Sequence, residues 1–147
     1  MRLDKKIAVV TGASRGIGMS IAYAFADEGA HLGLVARSRS QLEHVAGEIR
    51  DKGGRAIQFP CDVSSPQQVR DITKAVQDEF GRIDILINNA GYGKYGPFLS
   101  MPIEEWDRMW MVNVRGTVLV TQAVVPFMVS AQNGHIVNIS SIHGIQT

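Results

Sequence analysis

The chain has 147 residues, 45% of them hydrophobic and 20% charged, which fits one folded domain and excludes a disordered composition. A net charge of +1 excludes the broad basic surface that nucleic acid or a membrane face attracts. Cys61 alone rules out an internal disulfide, and with no signal-peptide core or membrane span in view the expectation is a soluble cytoplasmic protein without nucleic-acid, membrane or metal partners.

The first element is the apolar run Ile7–Val10, which suits a strand buried on both faces of a parallel sheet. Gly12, Gly16 and Gly18 follow, removing side chains where backbone passes close to a ligand or another element. Ile17, Ile21 and Phe25 recur at helical spacing, so a helix starts as the glycines end. Its first-turn N–H groups and dipole offer a seat for a phosphate. The spacing G-x-x-x-G-x-G is one residue longer than the commoner dinucleotide fingerprint, and a plain strand–helix turn would also use such glycines.

Further β-rich runs follow at His31–Ala36, Arg55–Phe59, Ile83–Asn88 and His135–Ser140. Between them lie amphipathic stretches. Val69, Ile72, Val76 and Phe80 mark one helical face, and Trp106, Met109, Trp110, Val114 and Thr117 mark another in a long helix from Pro102 to Val129. Gly29, Gly53 and Gly81 are placed as left-handed C-caps. Ser65-Pro66-Gln67-Gln68 reads as an N-cap, a first-turn proline and a capping-box glutamine, and Ser40 with Glu43 offers a second box. Pro102 with Glu104 and Glu105 opens the long helix.

Such alternation with short connections predicts an α/β fold: a doubly wound parallel sheet with helices on both faces. Ligands of these sheets lie beyond the carboxyl ends of the strands. Polar or permissive residues stand at those ends, namely Gly12, Arg37, Asp62, Asn89 and Ser141. After the second strand, Ala36 occupies the place of the acidic residue that holds the NAD ribose, and Arg37 follows it. Arg15, in the glycine turn, can converge with Arg37 on a phosphate, so the pair favours NADP(H) over NAD(H). Asp62, followed by Val63, either accepts a hydrogen bond from an adenine amino group or caps a turn ahead of Ser64-Ser65. In Asn88-Asn89-Ala90-Gly91 an asparagine either bridges backbone groups between strands or forms an Asx turn.

Thr11-Gly-x-x-x-Gly-x-Gly18, Asn88-Asn-Ala-Gly91, Asn113 in Val112-Asn-Val-Arg-Gly116 and Ile136-Val-Asn-Ile-Ser-Ser-Ile-His-Gly144 occur in one order along the chain. Together they resemble the short-chain dehydrogenase/reductase family, over the whole chain. The resemblance implies a single NADP(H)-binding Rossmann domain over residues 1–147, with strand order 3-2-1-4-5 and ending after the fifth strand. It implies an NADP(H)-dependent oxidoreductase that transfers hydride between a carbonyl and an alcohol, similar to a 3-oxoacyl reductase. Gly12, Ser14, Arg15, Gly16, Ile17, Gly18 and Arg37 are then expected to hold the adenosine phosphates. Asp62 and Val63 are expected at the adenine, and Asn89, Ala90 and Gly91 along the ribose. Asn113 matches the asparagine that keeps a relay water, and Ser141 the serine that hydrogen-bonds the substrate carbonyl.

The family's acid–base tyrosine, with a lysine four residues later, has no match here: Tyr23, Tyr92 and Tyr95 are the tyrosines, and none is followed by that lysine. General acid–base groups contribute about two to four orders of magnitude. The expectation is therefore a C-terminally incomplete catalyst that does not turn over as these 147 residues, or alternatively a non-catalytic dinucleotide-binding module. The fifth strand, uncharged and β-branched, is expected to form an open edge that promotes a homo-oligomer. Tyr92–Pro97 is either a substrate-side loop or, as loops more often are, a plain surface connection.

Overall fold

In the computed structural model, residues 1–141 are described. The strands are β1 (Ile7–Thr11), β2 (His31–Ala36), β3 (Arg55–Pro60), β4 (Ile85–Asn88) and β5 (His135–Asn138). They form one parallel sheet in the order β3-β2-β1-β4-β5, as the resemblance implied. Helices α1 (Gly16–Asp27), α2 (Arg39–Asp51) and α3 (Pro66–Phe80) connect the first four strands. A short 3-10 turn, Phe98–Ser100, then leads into α4 (Ile103–Trp110), a π-helical turn (Met111–Gly116) and α5 (Thr117–Ser130), which run on as one rod into β5.

Alternate strand residues supply two cores. Ala8, Val10, Leu32 and Leu34 pack with Ala22, Leu42, Val45 and Ile49 of α1 and α2 on one face. Val9, Val35, Phe59 and Leu86 pack with Val69, Val76, Val120, Val124 and Met128 of α3 and α5 on the other. The predicted face of α3 is the buried one, with Ile72 and Phe80 packed at its margin. Gly29, Gly53 and Gly81 all take positive φ just beyond helix ends, as their C-cap positions predicted.

Several boundaries differ from the sequence reading. β4 starts at Ile85 rather than Ile83, and Asp84, just before it, accepts from the Ile7 N–H through its side chain. β5 ends at Asn138 rather than Ser140. Ser38, not Ser40, caps α2, its hydroxyl accepting from Gln41 N–H at 3.4 Å. Ser65 does cap α3, but Gln68 turns its Oε1 to the Asp62 N–H at 2.8 Å instead of closing a capping box.

The face expected for the fourth helix points the wrong way. Trp106, Trp110 and Val114 are exposed, whereas Val112, Gly116, Val120, Val124 and Met128 lie against the body of the protein. By length and composition alone, Ile103–Ser130 is also apolar enough to cross a bilayer, which the sequence reading did not foresee. One stripe of it packs on β4 and α3 while much of its remaining apolar surface stays exposed; α5 is apolar nearly all round, whereas α4 carries Glu104, Glu105, Asp107 and Arg108. Ile142, His143 and Gly144, the end of the last motif, lie outside the described residues.

Candidate functional site

The carboxyl ends of β1 to β4 open onto one cleft of about 760 Å³. It stands where the strand order reverses, between β1 and β4. Gly12, Ser14, Arg15, Gly16 and Ile17 line it from the turn after β1, and Arg37 from the end of β2. Asp62 and Val63 follow β3, and Asn89, Ala90 and Gly91 follow β4. The topology thus brings nearly all the predicted binding residues together.

Gly18 lies outside this lining and acts one layer behind. A Cβ placed on it would fall 2.4 Å from the Gly12 carbonyl oxygen and 2.4 Å from Asn89 Nδ2. Gly12 itself has φ +67, and a Cβ there would come 2.9 Å from Ala90 Cα. The two glycines let the start of α1 press against the β1 turn and the end of β4. Asn89 locks that arrangement, its Nδ2 donating to the Thr11 carbonyl at 3.0 Å and more weakly to that of Gly12. It bridges backbone between strands and forms no Asx turn. Thr11, which the sequence reading assigned no role, closes the joint: its hydroxyl donates to the Ile87 carbonyl at 3.2 Å and accepts from the N–H groups of Asn89 and Ala90 at 2.9 and 3.0 Å. Asn88 faces elsewhere, donating to Thr121 Oγ1 and Asn138 Oδ1 at 3.0 and 2.9 Å.

Helices α2 and α3 are capped by Ser38 and Ser65, but among the described residues no side chain caps α1, whose first residues Gly16 and Ile17 line the cleft. Its first-turn N–H groups are therefore available to an anion. The side chains of Arg15 and Arg37, both exposed, form no ion pair or hydrogen bond among the described residues. Asp62 Oδ1 accepts from the N–H and hydroxyl of Ser64 at 2.9 and 2.7 Å, the turn-capping arrangement weighed from the sequence. Burial opposes the charge of Asp62, but the Ser64 bonds and the Arg37 and Arg108 guanidiniums outweigh it and hold the carboxyl below its ordinary value. Burial, with Asp62 and Asp71 nearby, pushes the Cys61 thiol up to about 11.

Asn113 is carried by the π-helical turn, a feature that recurs at functional sites. Its side chain grips the backbone of Tyr92, Oδ1 accepting from the N–H at 2.8 Å and Nδ2 donating to the carbonyl at 2.9 Å. The Tyr92 hydroxyl donates to Glu105 Oε2 at 2.5 Å, and this bond raises its pKa. Ser141 is exposed beyond β5, whose register sets Asn138 beside Asn88 and so brings the serine out at the same edge of the sheet as Asn89. The cleft also takes in Ser38, Gln41, Cys61, Tyr92, Arg108 and Val112, of which only Tyr92 was singled out from the sequence. A signal for two of them existed: Arg108 and Val112 are four residues apart, hence on one helix face.

A profile of the short chain dehydrogenase family matches residues 6–147. The chain is 38% identical over 144 residues to an uncharacterised oxidoreductase of Staphylococcus aureus (strain N315), covering 98% of this chain and 62% of that protein. Among solved structures, an NAD+-bound xylitol dehydrogenase superposes with a TM-score of 0.96 at 35% identity, over 99% of this chain and 56% of that one. L-Sorbose reductase from Gluconobacter frateurii, complexed with NADPH and L-sorbose, gives 0.94 at 37% identity, over 99% and 57%. The chain thus spans roughly three fifths of the length of the relatives it matches. A parallel sheet in this strand order, a glycine turn braced by Asn89 and a match along nearly the whole sequence have one common reading: this chain belongs to the short-chain dehydrogenases.

Proposed function

We propose that the chain forms the NADP(H)-binding part of an oxidoreductase that moves hydride between a small-molecule carbonyl and an alcohol, with NADP(H) preferred over NAD(H). The observation that carries this is the pair of guanidiniums of Arg15 and Arg37, which form no ion pair among the described residues and stand beside the start of α1, with Ala36 where a ribose-binding acid would stand. The neighbours with cofactors include both an NAD+ and an NADPH complex, so the preference rests on these residues rather than on likeness. The cradle fits the group: backbone N–H donors for the pyrophosphate and two arginine forks for a 2′-phosphate.

Bound nicotinamide supplies the hydride. Around it, the Ser141 hydroxyl donates to the substrate carbonyl oxygen and drains charge from it. The Asn113 carbonyl accepts from the Thr117 hydroxyl at 2.9 Å and keeps a second lone pair for a relay water. Asn89, Ala90 and Gly91 offer a close, small-residue wall for a ribose.

Titration of the protein with NADPH and NADH, read by calorimetry, tests the proposal. The expected result is tighter binding of NADPH, with Arg37→Ala removing about tenfold or more of that preference, as loss of a charge-assisted bond does. Equal affinity for the two cofactors, or no effect of Arg37→Ala, refutes the preference. Uptake of neither refutes the site.

A further inference from the structure

A cation on the helical wall of the cleft has no part in the phosphate contacts. Arg108 sits one turn before Val112 on α4, and both line the cleft. Its guanidinium carbon lies 4.2 Å from the centroid of the Tyr92 ring, within cation–π range. That ring is unusually well fixed for an exposed loop residue. Its hydroxyl is tied to Glu105, one turn before Arg108 on the same helix face, and its backbone is held in both directions by Asn113. Arg108 itself forms no ion pair among the described residues.

We propose that Arg108, backed by Tyr92, is a stacking platform for the nucleobase of the bound dinucleotide. The inference rests on the nucleotide site proposed above and assigns the wall of it that faces the base. Phosphates are accounted for by the start of α1 and by Arg15 and Arg37. What remains of the cleft is a slot with Val63 and Val112 as apolar lining, the Asp62 carboxylate as an acceptor and Arg108 as a flat cation. Asp62 lies within electrostatic reach of both Arg37 and Arg108, so the two guanidiniums serve the same end of the cleft. A nucleobase with an amino edge matches that set: flat faces for the guanidinium plane and the valines, and N–H donors for the carboxylate. The planar cation already rests on an aromatic ring, so little ordering remains to be done when a base arrives.

A base platform and a third phosphate ligand predict different patterns. NADPH and NADH share the adenine and differ in the 2′-phosphate, so a platform acts equally on both. The experiment measures the affinity of wild type, Arg108→Ala, Arg108→Lys and Arg37→Ala for NADPH and NADH by calorimetry, with thermal unfolding of each variant as a check on folding. The expected result is that Arg108→Ala weakens both cofactors by the same factor, about fivefold or more for a lost stacking contact. Arg108→Lys behaves like alanine, because an ammonium keeps the charge but offers no plane. Arg37→Ala, in contrast, acts on NADPH selectively. Unchanged affinities in Arg108→Ala overturn the platform, as does a loss confined to NADPH or full rescue by lysine, and all three leave the nucleotide site standing. Wild-type protein that binds neither cofactor overturns both. Should the alanine variant unfold, the lysine variant decides alone.

Discussion

Asp84 and Ile7 bond to each other twice across 77 positions of sequence: the Ile7 N–H donates to Asp84 Oδ2 at 2.8 Å, and the Asp84 N–H to the Ile7 carbonyl at 2.9 Å. The same carboxylate accepts from Arg82 Nε at 2.9 Å and Asn133 Nδ2 at 2.7 Å, while the Asp84 carbonyl accepts from His135 N–H at 2.9 Å. One buried acidic residue therefore fixes the starts of β1, β4 and β5 relative to one another.

Asp84→Ala strands the buried N–H of Ile7, whereas the amide of the exposed Asn133 can turn to water, and one unsatisfied buried donor costs about 1–3 kcal/mol. The expected outcome is a loss of about 2 kcal/mol in urea unfolding. Asp84→Asn is expected to lose less, since one amide oxygen still accepts. A variant as stable as wild type would show that the pairing of β1 with β4 does not depend on this residue.

Gly18→Ala is expected to impair the cleft without touching its lining. The added methyl would lie 2.4 Å from a backbone oxygen, which cannot rotate away, so α1 must shift from the β1 turn. Overpacking of this kind costs about 1–3 kcal/mol. NADPH affinity measured on the still-folded variant should fall together with the melting temperature. Gly47→Ala is the matched control, because a Cβ there meets nothing within 4 Å.

Cys61 gives a pH signature. Its folded pKa of about 11 lies above the ordinary 9.0, so the native state retains a proton that the unfolded chain releases. Stability is therefore full below pH 9, falls as pH rises toward 11, and this fall is absent in Cys61→Ala. Alkylation by iodoacetamide at pH 8, followed by mass spectrometry, should be slower than that of a free thiol by about two orders of magnitude from thiolate fraction alone. Fast labelling at pH 8 would refute the burial of this sulfur.

Self-association is the fourth expectation. Among the described residues β5 pairs with β4 alone, leaving its outer edge open, and Trp110, Val114, Val118 and Val129 are exposed along α4, the π-helical turn and α5. Light scattering should report a mass above the 16.1 kDa of one chain. A clean monomer at high concentration would count against it.

The strands and the glycine turn were legible because their signals are local. Val9 and Val10, or Leu32 and Leu34, declare a buried strand by composition, and Gly12 with Gly18 declares a close approach. Arg37 was readable because the position it follows is defined by the end of β2. The orientation of the fourth helix was not legible. Trp106, Trp110 and Val114 are as apolar as Val112 and Val120, so composition cannot say which stripe faces inward. The stripe that does so recurs every four residues rather than every 3.6, a period that an ideal helix does not sustain. Arg108 shares a helix face with Val112, but the ring it rests on, Tyr92, is sixteen positions away, and the sequence does not mark that contact. Ser38 and Ser40 stood equally close to the start of α2, and only backbone geometry chose between them.

That four-residue stripe sets a limit on how this protein can vary. The wide turn at Met111–Gly116 works as a phase adjuster, slowing the rotation of the rod so that Val112 meets the cleft and Val120, Val124 and Met128 still meet the sheet. Removing one residue from it would index everything downstream by about 100°. Side chains along the outer surface do not set this register, but the residue count between Arg108 and Val120 does.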